Sequence, residues 1–181
     1  LRLEKNALKK KNIAFGNPKI GAMIEVPAAV LMAEEIAAEV DFLNLGTNDL
    51  VQYLLAVDRD NEAVADWFRT LHPAVLRAVK TVIAAAENKN VPLIICGEMA
   101  GSTVYVPILI GLGATELSMN VSSIPRVRHI ISNIAFEEAQ AIVKQLETCR
   151  TAAEPEKAVE NLFSAKWKHL FPAEIFPNGK K

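Results

Sequence analysis

The strongest constraint on this chain's fold is a pattern that recurs four times between Lys19 and Asn133. A short apolar run breaks off at glycine, proline or small polar residues, and a segment with helical periodicity follows. Runs of about five apolar residues are strand length, and strand-then-helix alternation predicts a parallel sheet covered by helices. The expected strands are Lys19 to Val26, the run through Phe42, Leu43 and Leu45, Val91 to Cys96, and Glu116 to Met119. The pattern repeats but the wording does not, and no low-complexity segment is present. In such sheets ligands gather at the carboxyl ends of the strands. Glu25, Asn48, Asp49 and Cys96 all fall there.

The central stretch is Asp41 to Arg59. Its strand stops at Gly46, where the chain must turn, and Thr47, Asn48 and Asp49 are residue types that cap helices. Asp49 is a hard oxygen ligand suited to magnesium, and Arg59 offers a planar charged fork for phosphate or carboxylate. Each also has an ordinary reading, as a helix cap and as a solvated cation. Glu25 closes an otherwise apolar strand just before Pro27, a costly place for a carboxylate unless a cation meets it, so it is the second candidate metal ligand. Cys96 would ordinarily be an inert small hydrophobe. Its position beside Gly97 and Gly101, at the same sheet end as the acids, favours a functional role.

The other segments follow from apolar spacing. Leu1 to Lys11 reads as the end of a surface helix. Pro27 to about Glu39 reads as one helix with Val30, Ala33, Ala37 and Val40 inward. Trp67 and Phe68 are expected to cover the top of the core. His72-Pro73 opens a helix faced by Val75, Leu76, Val79, Val82, Ile83 and Ala86, with His72 as a cap or packing residue. Thr103 to Leu112 is the next helix, followed by one through Asn133 whose Arg126, Arg128 and His129 form a solvated face. Phe136 to Leu146 and Glu156 to Trp167 complete the set. Cys149 and His169 carry no recognisable site. We therefore expect a single partial domain over 1–181, with its core at 19–134, terminal helices at 135–167 and a tail at 168–181.

Composition narrows the function. The chain has 181 residues, 51% of them hydrophobic and 23% charged, enough to bury the core of one globular domain. A net charge of -1 argues against a nucleic-acid footprint or a polybasic membrane surface. No apolar run reaches the roughly 18 to 20 residues of a membrane span. Two cysteines make no disulfide framework, so a cytoplasmic setting is expected. The chain opens at leucine within a charged segment, which reads as a piece of something longer.

Taken together, Gly46-Thr47-Asn48-Asp49-Leu50-Val51-Gln52-Tyr53 and Ala56-Val57-Asp58-Arg59 resemble the signature of phosphoenolpyruvate-utilising enzymes. Cys96-Gly97-Glu98-Met99-Ala100-Gly101 is similar to the family's second motif. The nearest branch is that of the phosphoenolpyruvate-protein phosphotransferases, enzyme I of the sugar and nitrogen phosphotransferase systems, with wording slightly closer to the nitrogen-related paralogue. Asn44 stands where the family has serine, and Ser102 where it usually has aspartate.

The resemblance implies the second half of a (β/α)8 TIM barrel. It implies that Mg2+ is held by Glu25 and Asp49, that Asn48 and Arg59 contact phosphoenolpyruvate, and that Cys96 protonates the enolpyruvate carbon. It also implies transfer of the phosphoryl group to a histidine on an N-terminal domain that these residues do not include. From there it passes to a phosphocarrier protein, with release of pyruvate. Glu98 would tune the cysteine or contact its loop. A homodimer is expected, and this chain alone is expected to be inactive in phosphotransfer.

Three other readings are weighed. Pyruvate phosphate dikinase and phosphoenolpyruvate synthase share both motifs, and Tyr53 with Ala56 to Arg59 disfavours them. A magnesium-dependent carbon–carbon lyase shares wording like Met23 to Ala28 but has no need of Cys96. In the third reading half a barrel serves only as a dimerisation module, since it exposes strand edges and part of an apolar interior.

Overall fold

Four parallel strands, β1 (Gly21–Ile24), β2 (Phe42–Gly46), β3 (Leu93–Cys96) and β4 (Glu116–Ser118), form one sheet in the order β1-β2-β3-β4. The structure is a computed structural model and describes residues 1–171. Sequential order with every pair parallel needs a crossover after each strand, and the helical segments supply them. A first helix, α1 (Arg2–Lys10), precedes the sheet and has no buried residue.

Register sorts the side chains into rows. Ile24, Leu45, Ile95 and Leu117 lie side by side, flanked by the row Met23, Asn44, Ile94 and Glu116 and by the row Gly46, Cys96 and Ser118. Neighbouring rows point to opposite faces. One face is the core. Ile24, Leu43, Leu45 and Ile95 are fully buried against α2 (Pro27–Leu31), α3 (Ala33–Glu39), the first turns of α4 (Thr47–Leu55) and the long α5 (Pro73–Lys89). Each such aliphatic side chain contributes about 1.5–3 kcal/mol on burial. The other face is open: Met23 is 46% exposed, and Glu116 and Ser118 are exposed beside it. Helices thus cover one side of the sheet.

A second cluster joins the carboxyl-terminal helices to the first. The short α6 (Glu98–Gly101) leads into α7 (Val106–Leu112), and α8 (Ile124–Asn133), α9 (Phe136–Leu146) and α10 (Glu154–Lys166) follow. Ile108 of α7 is buried with Ile130, Ile142, Leu146 and Phe163. The Phe163 and Trp167 rings meet edge to face, with centroids 5.5 Å apart.

Several expectations are revised. β1 is Gly21–Ile24, shorter than Lys19 to Val26, and Ile20 is 48% exposed. The helix expected over Pro27 to Glu39 is interrupted at Met32, whose φ of -107° and ψ of 17° lie off the helical path. Trp67 does not cover the core. It ends a 3₁₀ segment, Glu62–Trp67, at 72% exposure, and Phe68, the next residue, packs inward in its place. Thr103 to Leu112 divides into turns and α7, because α6 takes up the chain directly after Cys96-Gly97. His72 is a cap as expected, its Nδ1 accepting from the Ala74 amide at 3.1 Å. Arg126, Arg128 and His129 are exposed, as a solvated face requires. Of the expected tail, residues 172–181 lie outside the described residues, while Phe171 is buried.

α7 and α9 approach most closely at Gly111, where an added methyl would stand 2.2 Å from the Ala139 carbonyl oxygen. Gly111→Ala is therefore expected to push the two helices apart and cost about 1–3 kcal/mol of stability, measured by urea denaturation. An unchanged midpoint would mean the helices separate freely.

Candidate functional site

Every candidate residue except Arg59 sits at one end of the sheet because of where its strand stops. β1 runs into Pro27, which starts α2 and leaves Glu25 as the last side chain before the turn. β2 passes directly into α4. Thr47, Asn48 and Asp49 form the first turn of that helix, with Gly46 at the cap position and no side-chain cap bond. They do not cap it, contrary to the expectation from residue type. Thr47 and Asn48 turn their polar groups toward Cys96 and Glu98 instead, and Asp49 pairs with Arg59.

Thr47, 1% exposed, donates its hydroxyl to the Cys96 carbonyl at 2.9 Å. Asn48 Oδ1 accepts from the Glu98 amide at 3.0 Å. These bonds tie the first turn of α4 to the junction between β3 and α6. Gly97 makes the docking possible. Its φ is 103°, and a Cβ there would lie 2.5 Å from Thr47 Oγ1 and 2.9 Å from Asn48 Oδ1. The glycine beside Cys96 therefore admits two side chains of the protein before any ligand.

The Cys96 thiol donates to the Leu45 carbonyl at 3.2 Å and lies 3.9 Å from Met23 Sδ. Burial pushes its pKa up, and the nearby charges of Glu25 and then Asp49 push in the same direction, against a backbone hydrogen bond that lowers it. All three groups thus share one electrostatic neighbourhood. The glycine at 46 lets Glu25 fold over β2, since a methyl on that residue would lie 2.8 Å from Glu25 Oε2. Among the described residues Glu25 has no cationic partner. Asp49 has one, with Oδ1 3.6 Å from Arg59 Nη1, both side chains 41% exposed. Arg59 comes from beyond the end of α4, where Ala56 takes a left-handed conformation and turns the chain back.

A cleft of about 540 Å³ opens beside these residues, lined by Asn48, Cys96, Glu98, Ser102, Ser118 and Asn120 among others. Asn48 Nδ2 has no hydrogen-bond partner among the described residues and is free to donate. No three acidic, histidine or cysteine side chains converge as a closed metal cage among the described residues. An open site does not need one: magnesium commonly takes one or two carboxylates and fills its octahedron with water and substrate oxygens. Glu25 and Asp49 fit that requirement. Sequence reasoning missed Thr47 as the tie between loops and Met23 as a neighbour of Cys96. Met23 was legible in principle, because its place two residues before Glu25 puts both on one face of β1.

A parallel α/β sheet with carboxylates, an amide and a thiol at its carboxyl end defines a ligand-binding domain of the strand-end type. The chain belongs to the PEP-utilising enzyme family: residues 1–136 match its PEP-binding domain. It is 46% identical over 141 residues to a protein of Salmonella typhimurium named for the phosphoenolpyruvate-dependent phosphotransferase system, covering 78% of this chain and 19% of that one. It is 42% identical over 162 residues to a phosphoenolpyruvate-protein phosphotransferase of a Bacillus species, covering 89% of this chain and 28% of that one. An Escherichia coli protein, also named for the phosphoenolpyruvate-dependent phosphotransferase system, is 45% identical over 137 residues, 76% of this chain and 18% of its own length. The chain therefore spans between 18% and 28% of the length of these relatives. No helix of the described residues is long and apolar enough to cross a membrane.

Removing the Glu25 charge removes one influence that disfavours the Cys96 thiolate, so the thiol pKa falls. In a Cys149→Ser background, Glu25→Gln is expected to speed iodoacetamide alkylation of Cys96 at pH about 8 by about two- to tenfold, followed by mass spectrometry. An unchanged rate would mean that the carboxylate is not felt at the sulfur.

Proposed function

We propose that this chain is the phosphoenolpyruvate-binding half of a phosphoenolpyruvate-protein phosphotransferase, and that Glu25, Asn48, Asp49, Arg59 and Cys96 bind the substrate and protonate the product. The observation that carries the reading is the meeting of Glu25, Asp49 and Cys96 at one sheet end, in a chain whose family is defined by binding phosphoenolpyruvate. Sequential strand order and one-sided helix cover support the second half of a (β/α)8 barrel, with the open sheet face as part of its interior. The same open face, with unpaired edges at β1 and β4, makes a dimer or self-associating form the expected state of the isolated chain.

Glu25 and Asp49 would hold Mg2+, which when bound supplies Lewis-acid stabilisation to charge developing on the substrate's carboxylate and phosphate oxygens. Asn48 is fixed through its Oδ1, so its Nδ2 is presented at a set angle to donate to a substrate oxygen. Arg59 is loosely held by Asp49, and its guanidinium forms a bidentate pair with phosphate when that anion arrives. Transfer of the phosphoryl group to a histidine outside this chain breaks the bond between phosphorus and the enol oxygen and leaves the enolate of pyruvate. Cys96 gives its proton to the terminal methylene carbon, completing pyruvate, and the thiolate is reprotonated from solvent. Burial and the two carboxylates favour the protonated thiol, the form this step requires. Phosphotransfer to a carrier protein needs the histidine-bearing domain, so this chain alone is expected to show none.

Manganese reports the site in place of magnesium, and oxalate mimics the enolate of pyruvate. In a titration followed by electron paramagnetic resonance, oxalate is expected to tighten manganese binding to the wild-type chain, and Asp49→Ala is expected to abolish that gain. Oxalate leaving manganese affinity unchanged in a folded sample would contradict a preformed site on these residues.

A further inference from the structure

Two sulfur atoms meet on the open face of the sheet. Met23 Sδ and Cys96 Sγ are 3.9 Å apart, although β2 lies between their strands. They can approach because β2 contributes a glycine there. A methyl placed on Gly46 would stand 3.3 Å from Met23 Sδ and 2.8 Å from Glu25 Oε2, and Gly46 is the register partner of Cys96. A thioether and a carboxylate oxygen therefore border the space above Gly46, and the thiol of its register partner touches that thioether. Met23 is 46% exposed, so this space is open to solvent.

We propose that Cys96, Met23 and Glu25 form a three-coordinate site for a soft monovalent cation of the Cu(I) or Ag(I) class. Thiolate and thioether ligands select soft cations, whereas the oxygen pair of Glu25 and Asp49 suits a hard divalent one. Two metal–sulfur bonds of about 2.3 Å spread to about 120° place their sulfurs about 4 Å apart. Little rearrangement of Met23 and Cys96 is needed to meet that separation. Binding forms a sulfur–metal bond and releases the thiol proton to buffer, with no change of oxidation state. The site does not depend on the substrate reading, but occupancy would remove Cys96 and Glu25 from any other role.

The test is an anaerobic titration of the whole chain with Cu(I), against bathocuproine disulfonate as a coloured competitor. A Cys149→Ser background removes the other thiol. One equivalent is expected to bind, with two sulfur neighbours in X-ray absorption. Cys96→Ser is expected to abolish binding, and Met23→Leu to weaken it about tenfold or more while circular dichroism stays unchanged. Undiminished affinity in Met23→Leu, or binding that survives Cys96→Ser, would overturn the proposal. Because the readout is metal affinity alone, either result is independent of the oxalate experiment.

Discussion

The hydroxyl of Thr47 is the interaction on which the site's geometry depends. It is the buried polar side chain of the core among the described residues, and it donates to the backbone carbonyl of Cys96. Without that donor a part-buried carbonyl would lose its partner, a penalty of about 1–3 kcal/mol. The bond also locks two strand-to-helix junctions together. The junction of β2 and α4 carries Asn48 and Asp49, and that of β3 and α6 carries Cys96 and Glu98. Asn48 reinforces the tie through the Glu98 amide, and the positive φ of Gly97 leaves room for both side chains. Asn48 and Asp49 on one side and Cys96 and Glu98 on the other are thereby held at one spacing by hydrogen bonds within the protein.

Electrostatics gives that spacing its consequence. Burial, with two carboxylates nearby, pushes the Cys96 thiol pKa up, and the only cation paired with either carboxylate among the described residues is Arg59. A carboxylate such as Glu25, half-buried without a cationic partner, is an unfavourable arrangement that a bound cation relieves. The same charges therefore favour a cation and a neutral acid side by side. Were magnesium held by two carboxylates, as proposed, its remaining coordination positions would be left to water and substrate oxygens.

Much of this was legible in the residues, for reasons that can be named. Strand-then-helix alternation is a period signal, and the parallel sheet follows from it. The placement of Glu25 and Cys96 at strand ends was readable because polar groups ending apolar runs are anomalous in the pattern itself. What failed were readings resting on residue type alone. Thr47, Asn48 and Asp49 have capping chemistry, yet Thr47 and Asn48 bond to Cys96 and Glu98 at the end of β3, tertiary contacts that no local window contains, and Asp49 pairs with Arg59. Trp67 is large and apolar, but Phe68 beside it takes the inward position, and single-residue phase is beyond a hydrophobicity count. The row of Met23, Asn44, Ile94 and Glu116 lies on the open face, and only alternate residues of each strand face helices.

That one-sided burial also accounts for the mixture of hard and soft groups at the site. A strand buried on both faces reads as a continuous apolar run, and it leaves no side for chemistry. Here the inward rows carry the stability, so the outward rows can hold glutamate, asparagine, serine, methionine and cysteine at little cost to the core. Gly46 completes the arrangement. By contributing no side chain it lets Glu25 lean toward one flank and brings the sulfurs of Met23 and Cys96 within contact across β2. The proposed oxygen site for a hard cation and the proposed sulfur site for a soft one share Glu25. Any side chain at position 46 would push Glu25 and Met23 away from the space they now border, so both proposals depend on the same empty place in the sheet.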